Sequence, residues 1–301
     1  GNEINLVGSN IFAKINTFAG NSPGGNIFLN SKKIHLDDSE ISARAMWGKG
    51  GSIDIQSEIL DVFGSRITSA SFGDGGNVSI LSDNVTLNDI SFIVAEAIFG
   101  IGGSISIEAE SITASWGSIF AISNQQGGDI NITGTGPGSS LALNSSLIST
   151  DLGYNSENPD SAGDITVSNF DTITLSNRTL ITSSIGPTQT SSPGLKLESG
   201  GNAGNISINA LSSISLANQS SISTTSTVFF DGSVDNGPGG LINLQAPSIS
   251  LAGGDLGGSS IDSSTRGEDS AGTIDIQGPN LAGSTLNITD SDITSSTFIL
   301  A

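Results

Sequence analysis

The 301-residue chain contains no cysteine, which excludes disulfide staples and thiolate metal sites. Aromatic residues make up only 5% of it, so a core has to be assembled from Ile, Leu, Val and Ala, side chains that suit a pleated surface. Basic residues are scarce too. Nine Lys and Arg stand against 29 Asp and Glu, and the resulting net charge of −20 repels both a phosphate backbone and an anionic membrane. No nucleic-acid partner is expected. No run approaches the roughly 18 apolar residues of a membrane span, so membrane insertion is not expected either. Residues 1–20 lack the basic start and apolar core of a signal peptide, and the chain reads as a processed protein or an excerpt.

Against these absences, 35% of the residues are hydrophobic, enough to fold, and 40 are Gly. The Gly residues are ordered. A Gly, one further residue and two apolar residues separated by one other recur at Gly25-Asn26-Ile27-Phe28-Leu29, Gly51-Ser52-Ile53-Asp54-Ile55, Gly76-Asn77-Val78-Ser79-Ile80 and Gly103-Ser104-Ile105-Ser106-Ile107. The pattern continues from Gly128, Gly163, Gly204, Gly240 and Gly272, with residues 2–6 as a tenth copy lacking its Gly. Successive glycines are 26, 25, 27, 25, 35, 41, 36 and 32 residues apart.

Most repeats carry a second alternating run, such as Ile34-His35-Leu36, Ile112-Thr113-Ala114 and Ile214-Ser215-Leu216, and a third, such as Ile41-Ser42-Ala43, Ile148-Ser149-Thr150 and Ile222-Ser223-Thr224. Asp37-Asp38, Asn144, Asn177 and Asn218 lie between the second and third runs, where a sharp corner needs a left-handed backbone. A period of two places Ile, Leu and Val on one face and Ser, Thr or Asn on the other. One repeat cannot bury that stripe alone, but stacked copies bury a continuous column. The expected fold is all-β: a parallel β-helix of about ten coils of three short strands, forming a rod about 48 Å long at the ordinary strand spacing. It forms one domain, 1–301, with regular coils over 1–148 and coils carrying long protruding loops over 149–301. A β-sandwich would need hairpin turns every 8–12 residues or so and no long period.

The order AGNISI, SISL, an Asn-containing turn, SSISTTS and a Gly-rich loop closing on the next Gly resembles the haemagglutinin-repeat exoproteins of bacteria. These are similar to filamentous haemagglutinin and use two-partner secretion; the longer coils are of the cyanobacterial type. The resemblance spans essentially the whole chain. It implies a right-handed β-helix, secreted and extracellular or attached to the cell surface, serving as an adhesive or structural shaft that can build fibres. Expected partners are other copies or adjoining coils end to end, and surface carbohydrate or a cell-surface protein. Neither a secretion domain nor a toxin domain is matched. The ends show no polar cap: residue 2 enters a strand pattern at once, and residues 297–301 stop on apolar side chains.

Right-handed β-helices also host polysaccharide lyases and glycoside hydrolases, so the alternative function is such an enzyme. Hydrolysis needs two carboxyl groups roughly 5–10 Å apart. The outward position of the first strand offers Asp54 and Asp275, seven coils apart, and the loop acids Glu157, Asp160, Glu198 and Asp231 read as solvated surface. No catalytic residue is assigned, and the chain is read as a non-enzyme. His35, the sole histidine, faces outward as a surface residue, so no transition-metal site and no cofactor are expected. The calcium-binding nonapeptide series is absent, leaving only adventitious Ca²⁺ between loop carboxylates. Outward Ser and Thr rows, interrupted by His35, Ala142, Phe120 and Asp262, fit solubility better than a lattice-matching array. The candidate interaction residues are Tyr154, Phe229 and Phe230 in the swollen loops, with Trp47 and Trp116 at corners.

Overall fold

The computed structural model describes residues 2–15, 22–151, 161–185, 201–227, 237–266, 270–279 and 283–298. Every regular element among them is a β-strand. The strands lie in one 13-stranded sheet, one 10-stranded sheet and a small sheet of three, and each is followed in its ladder by a strand one repeat further along the chain. Every ladder is parallel, the arrangement of a parallel β-helix or solenoid.

Register follows the inward side chains. In the larger sheet Ile53, Val78, Ile105, Ile130, Ile165, Ile206, Ile242 and Ile274 are successive partners. In the 10-stranded sheet the column is isoleucine throughout: Ile11, Ile41, Ile67, Ile93, Ile119, Ile148, Ile181, Ile222, Ile261 and Ile293. A one-residue slip would turn each of these outward, which is why the stack holds one register. Most are fully buried, and each contributes about 1.5–3 kcal/mol of transfer free energy against the cost of ordering its strand.

Two details correct the sequence reading. Residues 2–6 are not a tenth first run: the strand Glu3–Val7 pairs with Lys33–Asp37, so Ile4 and Leu6 stack under Ile34 and Leu36 in the second-run column. The three short strands per coil also merge. First and second runs form one strand in Ile53–Phe63, Val78–Asn88, Ile105–Ser115, Ile130–Asn144, Ile165–Ser176 and Ile206–Ala217. The reason is a slip in the alternation at the bend. Glu58 and Ile59 both stay at the surface, so Ile53 and Ile55 before them and Leu60 and Val62 after them all face inward. The structure also supplies runs outside the sequence pattern, Leu60-Asp61-Val62 and Ile93-Val94-Ala95.

The recurring Gly is dictated by sterics. A Cβ on Gly103, Gly128, Gly163 or Gly204 would stand 2.0–2.2 Å from the carbonyl oxygen of the preceding Gly in the stack, a contact only Gly avoids. Buried hydroxyls cap the same carbonyls: Ser183 Oγ donates to Gly163 O at 2.6 Å and Ser263 Oγ to Gly240 O at 2.6 Å. The corner before the third run is left-handed at Asp38, Asn177 and Asn218, as expected; at the Asn144 corner it is Ser145, one residue later, that has positive φ. A serine or threonine usually follows. The N–H groups of Ser39 and Ser146 donate to Ser65 Oγ and Thr179 Oγ1 one level on, while the hydroxyls of Ser39 and Ser146 donate to Asp37 O and Asn144 O. The corner satisfies its own buried polar groups. Phe170 is the largest fully buried side chain, fitting where its neighbours are small: Gly136 and Ala210 are its partners, and Gly134 leaves space beside the ring.

Candidate functional site

With the interior devoted to stacking, any recognition chemistry lies on outward positions. Trp47 is one corner of an exposed aromatic cluster. Its ring centre is 5.6 Å from Phe72 and 6.2 Å from Phe99, and Phe72 and Phe99 are 6.2 Å apart with all three planes within 28° of parallel. The rings are 40%, 38% and 57% exposed, respectively. Such pairs contribute about 0.5–1.5 kcal/mol each beyond the area they bury. Phe72 and Phe99 are not among the candidates drawn from sequence, although a signal exists: all three residues stand four positions before the Gly that opens the next repeat, Gly51, Gly76 or Gly103.

Beside this cluster lies a cleft of about 360 Å³ lined by Lys14, Arg44, Met46, Ala70, Phe72, Glu96 and Ile98 among others. Its geometry follows from register. Lys14, Arg44, Ala70 and Glu96 are successive partners at one outward position of the 10-stranded sheet, so the small Ala70 leaves a gap between Arg44 and Glu96. Lys14 Nζ sits 3.4 Å from the centre of the Phe12 ring. Among the described residues, ion pairs within 4.0 Å are confined to Lys32–Glu58 and Lys33–Asp61, with His35 also beside Asp61, so the charges around the cleft are not paired with one another.

Further along the same sheet, the Arg66 guanidinium lies 4.8 Å from the centre of Phe92, whose ring stacks on Phe120 at 6.2 Å. Trp116 is isolated from both groups, 63% exposed at a left-handed corner with φ of 61°. Tyr154, Phe229 and Phe230 lie outside the described residues, as do the loop acids Glu157, Asp160, Glu198 and Asp231. The chain re-enters the stack at equivalent places after the long insertions: Ser161 bridges Asn202, and Ala203 N–H donates to Pro238 O at 3.3 Å.

His35 faces outward as expected, with Nδ1 3.9 Å from an Asp61 oxygen that also lies 3.7 Å from Lys33 Nζ. Asp54 has a neighbour that lies outside its own column. Glu108, one outward position further along its strand and two levels away, lines the same shallow depression of about 200 Å³ with Ser79, Leu81 and Ser106. Asp275 is remote from both in the stack. No group of three or more His, Cys, Asp or Glu residues suited to a metal ion occurs among the described residues.

Among the described residues, one carboxylate is perturbed. Burial pushes the Asp151 carboxyl above its ordinary range, outweighing the hydrogen bonds it accepts from Ser184 N–H at 2.7 Å and Thr182 Oγ1 at 3.1 Å. Compared with family models, curated proteins and solved structures, the chain matches none of them.

Proposed function

We propose that the chain is a structural and adhesive shaft segment of a bacterial exoprotein, a right-handed parallel β-helix of about ten coils working outside the cell or on its surface. The reading extends the resemblance of its Gly-led repeat to the haemagglutinin-repeat exoproteins. The observation that carries it is the exposed Trp47–Phe72–Phe99 cluster, repeated on three successive levels of a stack whose outer faces are otherwise mostly Ser, Thr and Asn. Exposed aromatic groups of this kind mark contact surfaces. Further coils, from a copy or from adjoining chain, are the partners proposed end to end.

The test couples the full chain to beads and measures their retention on surfaces coated with extracellular polysaccharide or bacterial cells. Retention with no shortening of the polysaccharide is expected. Release of oligosaccharides, abolished by Asp54→Asn or Glu108→Gln, would instead establish the enzymatic alternative, which rests on the depression those two acids share.

A further inference from the structure

The adhesive reading leaves open what is held, and the cleft over Ala70 answers that question on its own chemistry. We infer that it binds an anionic saccharide unit, carboxylated or sulfated, of an extracellular glycan. This rests on the proposed adhesive role and names a site and ligand class for it.

The cleft has three kinds of wall. Arg44 closes one end with positive charge beside Lys14, whose ammonium lies over the Phe12 ring, Glu96 closes the other with a carboxylate, and Met46, Phe72 and Ile98 supply an apolar side. Arg44 and Glu96 are two strand spacings apart along the stack, about 10 Å, with Ala70 as the floor between them. Nothing bridges them: no ion pair within 4.0 Å involves Lys14, Arg44 or Glu96 among the described residues. The volume, about 360 Å³, falls at the small end of the range for ligand sites, the scale of one or two sugar rings.

Each wall asks for a different feature of the occupant. The Arg44 guanidinium selects a carboxylate or sulfate, whose hydrogen bonds to Arg are the strong, charge-assisted kind, and the nearby Lys14 adds to the positive field. The Glu96 carboxylate accepts hydrogen bonds only, so it needs hydroxyl or amino donors. The apolar side takes the C–H face of a ring. An anionic sugar offers all three within one or two rings. An acidic peptide fits less well, because the strands Glu40–Ala45, Arg66–Ser71 and Phe92–Ala97 are paired to one another along their full length and offer no free edge for strand addition. The concentration of cations here is itself notable in a chain of net charge −20.

The experiment titrates the full chain by calorimetry with three oligosaccharides of equal length: a hexuronate, a sulfated neutral sugar and the unmodified neutral sugar. Binding of either anionic oligomer, weakened by salt, is expected, and which of the two binds identifies the anion. Arg44→Ser should weaken it about tenfold or more, as loss of a hydrogen bond to a charged group does. Ala70→Ile, a β-branched residue in a strand, should fill the cleft and abolish binding while the circular dichroism spectrum stays unchanged. Arg66→Ser, outside the cleft, should leave binding within about twofold, the size of ordinary surface effects. Equal binding of the neutral sugar, equal competition by an oligo-glutamate peptide, or undiminished binding by Ala70→Ile would overturn the inference. If neither anionic oligomer binds but chain-coated beads are still retained on polysaccharide, this inference fails and the adhesive role stands; binding without retention supports the saccharide site and overturns the adhesive role.

Discussion

From Ile11 to Ile293 the inward column of the 10-stranded sheet never changes residue type, whereas the described outer faces of the levels before and after Ile148 differ in kind. The earlier levels expose Phe12, Trp47, Phe72, Phe99 and Trp116, and they hold Lys14, Lys32, Lys33, Arg44, Lys49 and Arg66, six of the nine basic residues. Beyond Ile148 the outward column that begins at Phe12 and reaches Phe120 continues as Ser149, Thr182, Ser223, Asp262 and Thr294, and the exposed apolar side chains among the described residues are aliphatic, as at Leu211, Leu241 and Leu256. From Asn144 onward the corner is lined instead by an asparagine ladder, in which Asn177 Nδ2 donates to Asn144 Oδ1 at 3.0 Å and Asn218 Nδ2 to Asn177 Oδ1 at 2.9 Å. The fold constrains the inside equally everywhere and leaves the outside free. What departs from bland Ser, Thr and Asn on that free surface is where function is to be sought.

The equality of the interior can be broken most severely at the glycines. Gly128→Val in the earlier levels and Gly204→Val in the later ones place a Cβ about 2.2 Å from a carbonyl oxygen, and each should cost more than about 4 kcal/mol, measured by urea unfolding. Tolerance of either would mean that the two regions do not share one steric rule. Next come the columns. Ile112→Ala and Ile214→Ala remove equivalent, fully buried side chains and should each lose about 2–5 kcal/mol; a cost under about 1 kcal/mol in one region alone would show a looser core there.

Smaller effects sharpen the comparison at its boundary. Ser146→Ala removes the acceptor for Gly117 N–H and the donor to Asn144 O, and should destabilise the stack by about 1–3 kcal/mol. Asp151 gives the smallest effect, and it depends on pH. Its pKa is raised in the folded chain, so between the unfolded and folded values the folded state holds more protons. Stability therefore falls as pH rises through that window above the ordinary Asp value, and the deficit persists at neutral pH. Asp151→Asn should raise the melting temperature at pH 7 and leave it nearly unchanged below the unfolded Asp pKa. An equal gain at both pH values would assign the effect to something other than the charge.

How much of the molecule is legible in its sequence depends on which face carries the information. The inward columns announce themselves, because Ile206, Ile208, Ile214, Leu216 and Ile222 repeat a period that stacking requires. The merging of the first two runs does not, since a one-residue slip at Glu58–Ile59 preserves both apolar pairs and looks like a loop. Residues 2–6 fit first and second runs equally well until a partner strand chooses between them. The corner serines carry no signal of their own in the sequence, and only their partners one level away reveal a ladder. The cleft is the hardest to see. Lys14, Arg44, Ala70 and Glu96 are far apart in sequence and meet only once register is known. Aromatics weighed one at a time yield Trp47 without Phe72 and Phe99, although their common distance from the next Gly ties them together.

The central claim is that the outer surface of the earlier levels does the holding. It is tested by retention of chain-coated beads on polysaccharide, comparing the triple variant Arg44→Ser, Trp47→Ser, Phe99→Thr with the triple variant Thr182→Ala, Ser223→Ala, Thr225→Ala on the later levels. With both variants folded by circular dichroism, the account predicts that the first loses retention and the second keeps it. Retention preserved in the first and lost in the second would contradict it.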